Sequence, residues 1–113
     1  MSAVGDPGRA RAQDLRAWRR QFGDSCAIGE VEPRRSCVCV GVVRVVRLVP
    51  GRSLEITIED GTGRLTAVFT GRTRLPGLEM GGGLRVRGTV ADDDQGRKVM
   101  RNPDWSLVSE PYA

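Results

Sequence analysis

Most side chains that carry catalytic chemistry are scarce in this sequence. None of the 113 residues is histidine. That excludes Ser-His and Cys-His nucleophilic pairs. The three cysteines, Cys26, Cys37 and Cys39, form no Cys-x-x-Cys pair. Without histidine a zinc site would need carboxylates, and no suitable cluster accompanies the thiols. Cys37 and Cys39 read as small apolar strand residues, and neither a metal nor a disulfide is expected. No Walker A or Gly-x-Gly-x-x-Gly string occurs. Asp92-Asp93-Asp94 runs into Gln95-Gly96 and reads as a solvated turn. The expected protein is therefore not an enzyme and carries no cofactor.

Arginine is the exception. Seventeen arginines and one lysine face fourteen carboxylates, for a net charge of +4. Residues 1–35 hold seven basic and five acidic residues, and the remainder holds eleven and nine, so no block carries the excess. A guanidinium fork matches phosphate oxygens, so the composition permits an anionic partner. A GC-rich genome also accounts for arginine over lysine. The available chemistry is charge recognition by positioned side chains.

The elements that position them centre on residues 53–71. Leu54, Ile56 and Ile58 alternate with Glu55, Thr57 and Glu59. Leu65, Ala67 and Phe69 alternate with Thr66, Val68 and Thr70. A period of two marks half-buried strands. Asp60-Gly61-Thr62-Gly63 lies between them, and Asp-Gly is a strong hairpin signal because glycine accepts positive φ. The stretch predicts an antiparallel hairpin with one apolar and one polar face.

Residues 1–6 are expected to be disordered, with Asp6-Pro7 starting a helix. Leu15, Trp18 and Phe22 then form one helical stripe that either docks on the domain or leaves a basic helix for nucleic acid. Gly23 caps the helix, and 24–35 is a connector. Residues 36–49 predict a long strand bent near Gly41, able to pair with different partners at its two ends and so close a sheet on itself. Pro50-Gly51 turns the chain. Residues 71–83 predict a short cap, and Gly81-Gly82-Gly83 a flexible approach to the strand at 84–91. Residues 97–101 return, Asn102-Pro103-Asp104 interrupts them, 105–108 completes the strand, and Pro111 marks a ragged end. The core candidates are Val38, Val40, Val42, Leu54, Ile56, Ile58, Leu65, Phe69, Leu84, Val86, Val90 and Val99.

These strings in order resemble the OB-fold nucleic-acid-binding family. The residues concerned are Val38-x-Val40-Gly41-x-Val43, Leu54-x-Ile56-x-Ile58-x-Asp60-Gly61-Thr62-Gly63-x-Leu65, Phe69, Gly83-x-x-Val86-x-Gly88-x-Val90 and Asn102-Pro103-Asp104-Trp105. The likeness is to the wedge domain of the RecG-type DNA helicase and to small stand-alone actinobacterial OB proteins. It covers about residues 36–108. The implied fold is all-β: a five-stranded Greek-key OB barrel with an N-terminal α-helix and a short cap between strands three and four. The chain divides into a helix and connector, 1–35, and a barrel, 36–110. No helicase motor is present, and Thr70 stands where many relatives carry a second aromatic.

The resemblance implies a ligand lying across strands two and three. The outward hairpin residues there include Thr57, Thr66 and Val68. The rim cations are Arg44, Arg47, Arg52, Arg72, Arg74, Arg97 and Lys98, and Trp105 is the aromatic candidate for stacking, or else a structural strand residue. Two functions follow. One is a module binding nucleic acid, single-stranded DNA or RNA, through strands two and three and the arginine rim. The other is a protein–protein adaptor, favoured by Glu55 and Glu59, whose carboxylates repel phosphate. With no long apolar run and no apolar leader, the expected location is the cytoplasm and no membrane partner is expected.

Overall fold

Residues 36–49 alternate too little to show one face and are too apolar for a loop, and they form a strand that serves two neighbours. In the computed structural model, which describes residues 7–110 with side chains from residue 11, this is β1 (Ser36–Val49). The expectations for residues 1–6, for Asp6 as helix cap and for Pro111 lie outside the described residues. The first half of β1 pairs antiparallel with β4 (Gly83–Asp92) and the second half with β2 (Ser53–Glu59). Val42 is the hinge, opposite both Gly83 and Glu59. A Cβ on Gly41 would stand 2.8 Å from the Glu59 amide nitrogen, so the bend needs a residue without one. The register slips between Val43 and Val45, leaving Arg44 as the extra residue of a bulge.

β2 pairs with β3 (Arg64–Thr70), and β3 pairs in parallel with β5 (Lys98–Arg101). β5 pairs with β4, which returns to β1 and closes a five-stranded ring. β6 (Asp104–Val108) then pairs with β4, so the last strand is broken at Asn102-Pro103 as the sequence predicts. The segment between β3 and β4 is a set of turns whose Leu75 joins the interior core. The approach at Gly81-Gly82 is tied rather than loose. Gly81 donates to the Val43 carbonyl at 2.9 Å, and the Val43 amide donates to Gly82 at 2.8 Å.

The interior holds Leu54, Ile56, Ile58, Leu65, Phe69, Leu84, Val86 and Val90, all expected there. On β1 the phase is reversed from the expectation. Cys39 and Val43 face the barrel, while Val40 and Val42 are buried beneath α1 (Pro7–Arg20) with Leu15 and Trp18. Val38 is half-buried. β1 is apolar on both faces around Cys39–Val43 because both are covered there. The same reversal occurs on β5, where Met100 enters the core and Val99 is buried outside it. The connector also supplies core: Ile28, in a short 3-10 turn (Ile28–Glu30), is fully buried inside the barrel.

α1 docks its apolar stripe, as one of the two sequence readings held. Trp18 meets Phe22 edge-on at 5.4 Å and donates through Nε1 to the Ser109 carbonyl at 3.1 Å. Arg16 donates to the Gly61 carbonyl at 3.0 Å. Gly61 has φ +86°, and a Cβ there would reach 2.2 Å from the Ala12 carbonyl oxygen. Asp60, fully buried, accepts from the amides of Ile28 and Thr62, each at 2.9 Å, and from the Thr62 hydroxyl at 2.6 Å. The four-residue turn is therefore organised by a carboxylate as well as by glycine. No helix among the described residues is long and apolar enough to cross a membrane.

Candidate functional site

The polar face of the hairpin is a ladder of facing residues. Ser53 faces Thr70, Glu55 faces Val68, Thr57 faces Thr66 and Glu59 faces Arg64. Cross-strand pairs of this kind interact directly. The hydroxyls of Thr57 and Thr66 share a hydrogen bond of 2.9 Å. Thr66 is only 4% exposed, so it consolidates the sheet rather than presenting a free hydroxyl, contrary to its expected role. Its register partner on β5 is Val99, and flanking strands leave it little surface.

Two adjoining hollows run along this face, with Arg97 bordering both. The first, a cleft of about 410 Å³, spans β1, β2, β3 and β5. Val68 and Val99 line it with Glu55, Asp93 and four arginines, Arg47, Arg52, Arg97 and Arg101. The second, about 650 Å³, includes Val45, Thr57, Arg64, Thr66 and Lys98. A separate hollow between the cap and β6, at Leu78, Leu107 and Glu110, has no basic residue in its lining.

The carboxylates on this face are not bare. Glu55 Oε1 lies 3.6 Å from Arg47 and 3.8 Å from Arg97, and its side chain is 16% exposed. Glu59 accepts from Arg44 at 3.1 Å and from Arg64 at 3.4 Å. Asp93 accepts from the Arg97 amide at 2.8 Å and from Arg97 Nε at 2.7 Å. Desolvation pushes the Asp93 carboxyl up, but its bonds from Arg97 and the Gln95 amide outweigh this and hold it below its ordinary value. The bond to Asp93 in turn pushes the Arg97 guanidinium up. Among the described residues, Arg52 and Arg101 line the cleft without a carboxylate partner.

The expected site residues divide accordingly. Arg47, Arg52, Val68 and Arg97 meet in the cleft, and Thr57, Thr66 and Lys98 in its neighbour. Lys98 also donates to the Ile28 carbonyl at 2.8 Å, which ties the connector to β5. Arg44 is held by Glu59. Arg72 and Arg74 are exposed on the cap and line neither hollow. Trp105 packs against the barrel core on β6 and lines neither hollow, which is the structural of its two readings. Arg101 was missed by the sequence reading, because a single cation at a strand end does not reveal which way it faces. Among the described residues no cluster of cysteine and carboxylate groups suits a metal ion.

No protein-family model and no curated protein sequence matches the chain. Solved structures do. A replication protein A heterotrimer bound to ssDNA matches with TM-score 0.56 and 20% identity, over 74% of this chain and 64% of that one. Schizosaccharomyces pombe Pot1pC bound to ssDNA matches with TM-score 0.62 and 8% identity, over 74% and 86%. The Ifi202 HINa domain in complex with 20bp dsDNA matches with TM-score 0.60 and 14% identity, over 80% and 49%. The chain thus spans less than two thirds of the first and third of these chains. At such identities the likeness defines a fold. The closed five-stranded ring with its parallel β3–β5 seam and N-terminal helix is an OB barrel.

Proposed function

We propose that this chain is a non-catalytic OB-fold module that binds single-stranded DNA or RNA across β2 and β3. One observation carries the reading. The carboxylates on the barrel face are already matched by Arg44, Arg47, Arg64 and Arg97, while Arg52 and Arg101 remain in the cleft to take phosphates. The objection raised by Glu55 and Glu59 is thereby weakened. Val68 offers some apolar surface, and guanidinium planes supply stacking where aromatics are scarce. The ssDNA and dsDNA in the matched structures support this partner class, and the wedge-domain likeness of the sequence agrees with it. A cytoplasmic location fits the same reading.

The test is fluorescence anisotropy with labelled single-stranded and duplex DNA and RNA at two salt concentrations. Single-strand binding that weakens steeply with salt supports the reading, because phosphate contacts release counterions. Absence of binding at low salt refutes it. The adaptor reading would then take its place, because Val45, Val46 and Leu48 are exposed where β1 has passed beyond β4 and pairs only with β2.

A further inference from the structure

Glu55 is misplaced for a residue that only binds phosphate. It stands mid-strand on β2, its carboxylate is largely enclosed, and it lines the cleft together with the arginines. Surface arginines do not need a carboxylate beneath them to attract an anion, and a carboxylate on the floor weakens that attraction. A carboxylate does have a use on the floor if a base, not a phosphate, lies there.

We infer that Glu55 selects guanine, reading its Watson–Crick edge with Arg47 or Arg97 beside it. This rests on the nucleic-acid reading above. The edge of an unstacked guanine presents one acceptor, O6, followed by two donors, N1–H and N2–H. The cleft presents guanidinium donors 3.6 and 3.8 Å from Glu55 Oε1, and then two carboxylate acceptors. Donor, acceptor, acceptor is the complement of that edge. No other common base offers two adjacent donors. Cytosine and adenine place a ring acceptor beside their single amino group, and thymine and uracil flank one donor with two acceptors. Each of those would set a lone pair against the carboxylate. Single-stranded recognition reads the edges of splayed bases in this way.

Asp93 is a positioning residue in this scheme. It binds Arg97 through Nε at 2.7 Å and so leaves the guanidinium Nη1 facing Glu55. The guanine source is either a base within a strand or a free nucleotide, since both carry the same edge.

The experiment is anisotropy of short labelled oligothymidylates carrying one central guanine, inosine, adenine or cytosine, with free guanosine monophosphate as competitor. The guanine oligomer is expected to bind about tenfold more tightly than the others, in line with the discrimination of a bidentate contact. Inosine, which lacks the N2 amino group, loses most of that advantage. Glu55→Gln swaps one acceptor for donors and removes a negative charge beside Arg47 and Arg97, so it raises the affinity for every oligomer alike and removes the preference for guanine. Competition by the free nucleotide as strong as by the oligomer assigns the site to a nucleotide, and weaker competition assigns it to a strand. Binding to all oligomers with equal affinity, or a preference that survives Glu55→Gln, overturns the inference but leaves the single-strand reading intact. Binding to none of them overturns both.

Discussion

Arg97 donates from Nε to Oδ2 of Asp93 at 2.7 Å, across the turn that joins β4 to β5. The Arg97 amide binds the other carboxylate oxygen at 2.8 Å, so the turn and the guanidinium share one anchor. The arginine is thereby held at the junction of the two hollows.

This anchor makes stability sensitive to acid. The folded-state Asp93 carboxyl titrates below its ordinary value. Its contribution is therefore complete above that ordinary value and lost as the pH falls through the lower one. Asp93→Asn is expected to flatten the acid limb of the stability curve and to change little near neutrality beyond a constant offset. Urea midpoints measured across the acid range check this. Parallel curves for the variant and the parent would refute it.

Position in the cleft, rather than charge alone, should decide which arginines bind phosphate. Arg52→Ala with Arg101→Ala is expected to weaken single-strand binding and lower its salt slope by about two, with no fall in melting temperature. Arg72→Ala with Arg74→Ala removes the same charge from the cap and is expected to have a much smaller effect. Equal losses from the two pairs would mean that long-range charge, not the cleft, governs affinity.

Gly61 and Gly51 both adopt positive φ, at +86° and +72°. Around Gly51 nothing lies within 4 Å of an added Cβ, whereas at Gly61 the Ala12 carbonyl is in the way. Gly51→Ala is expected to cost about 1 kcal/mol of backbone strain. Gly61→Ala must also move α1 and is expected to cost several times as much, about 3 kcal/mol or more. Denaturation midpoints of the two variants provide the comparison.

The thiols are expected to separate by reactivity. Cys26 is exposed, Cys37 is half-buried with its thiol pushed up by desolvation, and Cys39 is buried with its thiol raised well above the ordinary range. The thiolate is the reactive form. A disulfide reagent near pH 8 should modify Cys26 quickly and reach Cys39 only on unfolding. Fast modification of Cys39 in the native protein would show that the β1 phase described above is incorrect.

The hairpin, the bend at Gly41 and the broken last strand were legible because alternation and glycine or proline punctuation agreed there. The phase of β1 was not. A run of valines buried on both faces has no polar side to set its parity, so Val40 and Val42 could not be told from Cys39 and Val43. The same ambiguity exchanged Val99 for Met100 on β5. Ile28 escaped notice because one apolar residue in a polar connector carries no period. The partnering of Glu55 and Glu59 was also hidden, because their arginines come from β1, β3 and the β4–β5 turn. Sequence order does not show that these are neighbours.

The ring is clasped through β5 by two short ladders, three residue pairs to β4 and three to β3. Those to β3 are Thr66 with Val99, Ala67 with Met100 and Val68 with Arg101. Asn102 fastens one end, accepting from the Thr70 amide at 2.9 Å and donating through its own amide to the Val68 carbonyl at 2.7 Å. The cleft lies over this clasp, with Val68 and Thr70 on one bank and Val99 and Arg101 on the other. A ligand spanning both banks would act as a removable staple. Its binding and the closure of the hoop would then be thermodynamically linked, because whatever favours the closed ring favours the bound state equally.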